Sequence, residues 1–162
     1  MKTISLLFTI LLFSSCSGYT PLYQNNNLLN EQLKNVALKT DKKKMSLSVK
    51  KNLLQNLPPS TNKVNYILKI ETLTETSSTV TASDRKTSGY EVITTADIFV
   101  YKRMKKYDKL VFSFEEKEVT MFELSPNQVL STLASRNKAF EISSENISES
   151  IYKRLLIYFT NK

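Results

Sequence analysis

"VNYILKIETLTETSSTVTASDRKTSGYEVITTADIFVYKR", Val64 to Arg103, is the stretch that decides the fold. Val64, Tyr66, Leu68 and Ile70 share one parity, the period of a strand with one apolar face. From Thr72 to Thr81 the residues keep high β-propensity but turn polar, as though the strand runs on past the core. "SDRKTSG", Ser83 to Gly89, reads as the turn. Beyond it, Tyr90, Val92, Thr94, Ala96, Ile98 and Val100 share one parity, and Ile93, Phe99 and Tyr101 share the other. Apolar groups on both faces predict a central strand, or one clasped by a partner.

Toward the C-terminus, "MKKYD", Met104 to Asp108, is a basic turn. "KLVFSFEEKEVTMF" is then the third strand of a meander, with Leu110, Phe112 and Phe114 expected on one face. "SPNQ" reads as a helix start: Ser125 as N-cap, Pro126 at the first helical position and Gln128 completing a capping box. From there to about Phe159 the chain lacks glycine and proline. Val129, Leu133, Ala134, Ile142, Ile147, Ile151 and Leu155 keep roughly helical spacing. Ser143, Ser144 and Asn146 are weak helix formers, which leaves open whether the helix breaks there or runs through.

Toward the N-terminus, Leu33 to Thr40 is a short strand candidate. A helix follows, with Val49, Leu53, Leu54 and Leu57 as its apolar stripe, Asp41 as N-cap or first-turn acid, and Pro58-Pro59 as its stop. This stripe and the later one, Ile147, Ile151 and Leu155, are expected in the core. The order is strand, helix, three strands, helix. It predicts an α+β domain, with two helices packed on one face of a mixed, mainly antiparallel four-stranded sheet.

The composition excludes several chemistries. The 162 residues hold no histidine, no tryptophan and one cysteine. An intramolecular disulfide, a Cys/His zinc site and a histidine-based triad are therefore ruled out. The remaining enzyme reading is a carboxylate pair such as Glu115 with Glu118. "EEKE" lies on a strand of alternating facing, and no companion acid is expected nearby. The chain reads as non-enzymatic and without a cofactor or metal.

The lone cysteine sits at the end of an export-type segment. Met1-Lys2 gives a positive start, Ile4 to Phe13 an apolar run too short to span a bilayer, and Ser14-Ser15 a small-residue exit. The competing reading of this run is a buried N-terminal helix or strand. "FSSC" is similar to the lipobox of bacterial lipoproteins, with Phe13 where leucine is commonest. Residues 1–15 are read as a lipoprotein signal peptide, Cys16 as the lipidated residue, 16–32 as a tether and 33–162 as one domain. Several acyl chains on Cys16 would anchor stably, where one alone binds only marginally. Ser17, rather than aspartate, after the cysteine favours delivery to the outer membrane. Tyr19, Leu22 and Tyr23 are unusual for a pure linker and are expected to dock on a surface.

The net charge is +8, and residues 1–15 contribute only Lys2 to it. The basic balance therefore belongs to the folded part and suits an anionic partner. Export argues against nucleic acid and for membrane phosphates.

With the cysteine, "CSGYTPLY" (Cys16 to Tyr23) and this element order in hand, the chain resembles the LptE family of lipopolysaccharide-assembly lipoproteins. Mature members of that family often begin Cys-Gly-Phe and continue to Pro-Leu-Tyr. Here Ser17 is inserted after the cysteine and Tyr19 replaces the phenylalanine. "NLLQNL", "YILKIE", "DRKTSGYEV" and "IYKRLL" match in layout along the rest of the chain. The resemblance implies a lipid-anchored protein on the periplasmic side of the outer membrane. It would plug and help assemble a large β-barrel of the LptD type, and bind lipopolysaccharide on its way to the outer leaflet. The alternative is an envelope carrier or anionic-lipid-binding lipoprotein without a barrel.

The candidate lipopolysaccharide contacts are the basic hairpin, Lys102, Arg103, Lys105, Lys106 and Lys109, and the turn residues Arg85 and Lys86. Arginine meets phosphate through a planar fork and lysine as a point charge. Tyr101, Met104 and Tyr107 flank the hairpin and would touch acyl or sugar surface. Each cluster has a plainer reading beside it, a solvated strand end kept soluble by its charges. "DKKK", Asp41 to Lys44, reads as a solvated helix start.

Overall fold

The computed structural model describes residues 32–59, 63–80, 87–124 and 128–161. Six elements follow in order: β1 (Val36–Thr40), α1 (Lys44–Asn56), β2 (Tyr66–Val80), β3 (Thr87–Arg103), β4 (Asp108–Glu123) and α2 (Val129–Thr160). The strands form one sheet in the order β1-β2-β3-β4. β1 pairs in parallel with β2, and the other two pairings are antiparallel. The α+β architecture expected from the sequence is the one observed, and β3 is an interior strand.

The alternation along the strands decides which face is covered. Leu68 and Ile70 of β2 pair with Val100 and Ile98 of β3, which pair in turn with Phe112 and Phe114 of β4. This face packs against Val49 and Leu53 of α1 and Ile147, Ile151 and Leu155 of α2, all but fully buried. A fully buried aliphatic side chain contributes about 1.5–3 kcal/mol through lost apolar surface, so this layer is the main source of stability. Near the far end of the sheet a second, smaller cluster holds Val92, Phe122 and Ala139. Gly89 lies there at a close approach, because a Cβ at this position would stand 2.7 Å from the Phe122 carbonyl oxygen.

Several local expectations are corrected. The strand candidate from Leu33 begins only at Val36, because residues 32–34 form a helical turn that buries Leu33. Asp41 lies before α1 and is neither its N-cap nor in its first turn. Lys43 occupies the N-cap, and its backbone N–H donates to Asp41 Oδ1 at 3.4 Å. Leu54 is 53% exposed, while Met45, absent from the expected stripe, is buried. The stripe shifts because α1 also leans on α2, which recruits the turn nearest Met45 and leaves Leu54 outside. α2 starts after Gln128, which takes the N-cap position itself rather than the third helical position. Ser125 and Pro126 lie outside the described residues.

The break near Ser143 does not occur: α2 runs unbroken for 32 residues, about 48 Å at ~1.5 Å per residue. Its serines keep the helix intact by bonding locally. Ser144 Oγ donates to the Glu141 carbonyl at 2.8 Å and Ser148 Oγ to the Glu145 carbonyl at 2.7 Å. Their small size lets α1 approach, and Asn52 Nδ2 donates to Ser144 Oγ at 3.0 Å across the helix pair. The expected apolar stripe holds only in the C-terminal half of α2. Val129 and Leu133 are exposed. No helix among the described residues is long and apolar enough to cross a membrane.

The shifted stripe of α1 makes a direct prediction. Leu53→Ala is expected to lower unfolding free energy by about 2–5 kcal/mol, and Leu54→Ala by less than about 0.5 kcal/mol. Urea unfolding of the two variants would show it, and equal losses would contradict the burial described above.

Candidate functional site

The β3–β4 hairpin is built from the strand ends upward. Arg103 N–H donates to the Asn65 carbonyl at 2.8 Å, which holds the base of the hairpin against the start of β2. Met104 N–H donates to the Tyr107 carbonyl at 3.0 Å and closes the turn. Lys102, Arg103, Lys105, Lys106 and Lys109 are all exposed around it. The structure therefore gathers these five sequence candidates into one basic tip. The tip's acid, Asp108, lies 3.9 Å from Arg103 Nε, with both side chains about half exposed. An ion pair that open to water contributes little.

Lys102 and Lys109 face each other directly across the strands. Like charges at opposed positions are destabilising. The hairpin thus concentrates positive charge against its own folding preference.

A bulge sets what surrounds the charges. The β3–β4 register slips between Val100 and Tyr101, so Val100 pairs with Phe112 while Tyr101 pairs with Leu110, and Val111 is the extra residue. Leu110 was expected to align with Phe112 and Phe114. The bulge turns it instead to the other face of the sheet, where it is 48% exposed, and Val111 packs on the core in its place. Bulges re-aim side chains in this way. Exposed Leu110, Met104 and Tyr107 consequently surround the basic tip with apolar surface.

On the helix side, the end of α2 forms an aromatic wall beside the hairpin. Phe112 and Tyr158 stack with centroids 4.6 Å apart, and Phe159 sits edge-on to both Tyr66 and Tyr158. The Arg154 guanidinium lies 5.3 Å from the Phe114 ring centre and pairs with Glu116. Together Phe112, Arg154, Ile157, Tyr158 and Asn161 line an open cavity of about 480 Å³. The sequence reading missed this wall. Phe112 was legible as an apolar strand position, but nothing in the sequence paired a strand residue with the last turn of a helix.

The opposite face of the sheet has no helix on it among the described residues. It carries a row of three carboxylates in direct cross-strand register, Glu71, Asp97 and Glu115. Lys69 Nζ lies 2.5 Å from Glu71 Oε1. Glu118, by contrast, is on the helix face, where its Oε1 accepts from Asn146 Nδ2 at 2.7 Å. The sheet therefore separates Glu115 from Glu118.

Arg85 and Lys86 lie outside the described residues, in the connection from Val80 to Thr87. β3 has 17 residues, or about 55 Å at ~3.3 Å per residue. Val80 and Thr87, the described residues that flank this connection, lie at the other end of the sheet from Lys105. Cys16 and the rest of residues 1–31 also lie outside the described residues.

No protein-family model matches this chain, and no curated protein matches it. Solved structures do. A Caulobacter crescentus protein assigned as a lipoprotein superposes with a TM-score of 0.64 at 12% identity, covering 82% of this chain and 96% of its own. Rare lipoprotein B from Shewanella oneidensis gives 0.57 at 14% identity, covering 78% and 96%. An uncharacterized lipoprotein B from Nitrosomonas europaea gives 0.61 at 10% identity, covering 77% and 83%. The chain has the fold of these lipoproteins. At such identities the likeness is one of architecture, and the basic tip and aromatic wall are read from this chain alone.

Replacing Lys109 with Glu turns a repulsive cross-strand pair into an attractive one. Lys109→Glu is expected to raise stability by about 0.2–1 kcal/mol, with the gain shrinking in high salt. Urea midpoints at low and high salt would measure it, and a loss of stability would show that Lys102 and Lys109 do not repel each other in the folded protein.

Proposed function

We propose that this chain is a non-catalytic outer-membrane lipoprotein of the LptE type, anchored through Cys16 on the periplasmic side. In this reading it sits within a large β-barrel of the LptD type, assists its assembly and binds lipopolysaccharide during insertion into the outer leaflet. The observation that carries the reading is the shared fold, which runs nearly end to end through the lipoprotein structures, in a chain that begins with an export-type segment and "CSGYTPLY". The five exposed cations of the β3–β4 hairpin supply the chemistry for phosphate and carboxylate groups of the glycolipid. The threonines and serines of β2 beyond Thr72, exposed or half-exposed on the sheet, suit the polar interior of an outer-membrane barrel.

Two measurements test this. Reversing the hairpin charges with Arg103→Glu, Lys105→Glu and Lys106→Glu is expected to weaken lipopolysaccharide binding at least tenfold at low salt, as loss of several charge-assisted contacts of about 1.5–3 kcal/mol each requires. The fold should persist, because none of the three is in the core. Unchanged binding by the folded variant would refute the assignment of the hairpin.

The anchor has its own test. The mature protein should carry a diacylglyceryl and an acyl mass increment at its N-terminal peptide, and Cys16→Ala should abolish it. The same mass shift in wild type and variant would refute lipidation. Detergent extracts in which the protein never co-purifies with a large outer-membrane barrel would leave the envelope-carrier alternative.

A further inference from the structure

The basic tip lies at the end of the sheet where the described chain begins. Residues 32–34 turn directly into β1, and Val36 pairs with Tyr66, which pairs with Lys102. Backbone hydrogen bonds tie this end together. Asn65 and Tyr66 N–H groups both donate to the Asn35 carbonyl, and Arg103 N–H donates to the Asn65 carbonyl. Gln32, where the described chain begins, therefore lies at the hairpin end of the sheet. The sixteen steps from Cys16 to Gln32 reach at most about 55 Å.

Charge and apolar surface are arranged along the sheet axis. Lys34, in the helical turn before β1, lies at this end of the sheet as well. Tyr107 is 64% exposed at the turn, beside Met104 and Leu110. A tyrosine among lysines is the combination that settles at the headgroup level of a bilayer. The carboxylate row of Glu71, Asp97 and Glu115 sits six residues back from Arg103 along β3, about 20 Å at ~3.3 Å per residue. That exceeds the screening length of about 8 Å in physiological salt. The open sheet face mixes these carboxylates with Lys39, Lys69 and Lys117, whereas five cations stand at the tip against the single acid Asp108, so an anionic surface favours an end-on approach.

We infer that the β3–β4 hairpin docks the domain end-on on an anionic phospholipid surface, with Arg103, Lys105 and Lys106 against headgroup phosphates and Met104 and Tyr107 at the headgroup level. The inference rests on the lipid-anchored reading of Cys16, which keeps a membrane within reach, and concerns the domain while it stands outside the barrel, before the same cations meet lipopolysaccharide. Docking fixes the orientation of the sheet relative to the bilayer, with β2 and β3 standing away from it.

The test uses the acylated protein with Met104→Cys carrying an environment-sensitive fluorophore. It is reconstituted in vesicles of phosphatidylcholine alone or with phosphatidylglycerol. A blue shift is expected only with phosphatidylglycerol, reversed by high salt and absent from the Arg103→Gln, Lys105→Gln, Lys106→Gln variant. Equal emission in both vesicles, or a shift that survives in the triple variant, overturns the inference. Should the N-terminal peptide lack acyl mass, the anchor reading fails separately. Docking is then read from the same chain added to preformed vesicles. Each basic residue near the surface is worth about fivefold, so the triple variant should bind phosphatidylglycerol vesicles about a hundredfold more weakly. Equal affinities overturn the inference. A shift with lipopolysaccharide micelles and none with phosphatidylglycerol vesicles overturns it too, while leaving the proposed function standing.

Discussion

The structure depends on one packed layer, in which the even-numbered residues of β2 and β3 meet both helices. Leu68, Ile70, Ile98 and Val100 from the sheet, Val49 and Leu53 from α1, and Ile147, Ile151 and Leu155 from α2 are all buried there. β2 is paired on one side by β1 only from Tyr66 to Ile70, and α1 packs over this part of the sheet. The β1-α1-β2 unit therefore completes the core at one end of a sheet that is much longer than the helix α1.

Past that layer the core thins and turns polar. Ser46 and Thr72 hydroxyls meet at 2.7 Å. Thr94 Oγ1 and Ser143 Oγ are buried with no hydrogen-bond partner among the described residues, a cost of about 1–3 kcal/mol for each such group. This polar belt separates the main cluster from the small one at Val92, Phe122 and Ala139. The far halves of β2, β3 and β4 are then held chiefly by their own ladder hydrogen bonds and by α2. The start of α2 buries little, with Val129 and Leu130 among the most exposed apolar side chains of the described residues. The molecule thus has a well-packed end, which also bears the basic hairpin, and a loosely covered end.

This asymmetry matters for how the domain meets its surroundings. The packed end gives the hairpin a rigid base, through Tyr66, Phe112, Tyr158 and Phe159. Rigidity there lets a cluster of cations hold its geometry against a multivalent anionic surface without further ordering cost. The carboxylate row lies behind it on the open face of the sheet.

Much of this was legible in the sequence, and the limits are physical. Period-two alternation from Tyr66 to Ile70 and from Tyr90 to Val100 specifies strands and the face they bury, because a strand has only two faces. The prolines after Leu57 and the glycine-free run to Phe159 specify the helices, and the absence of histidine excludes whole classes of chemistry. The lysines of the hairpin are adjacent in sequence, so their clustering was visible too. What only the tertiary structure decided concerns pairs brought together across elements. One extra residue at Val111 turns Leu110 to the opposite face, and a bulge leaves no mark in an alternation pattern. The row Glu71, Asp97 and Glu115 exists only in the observed strand register. The burial of Met45 in place of Leu54 and the unbroken passage of α2 through Ser143 and Ser144 follow from how closely the two helices approach. Local pattern determined each element and its apolar face; inter-element distance and register decided which side chains meet.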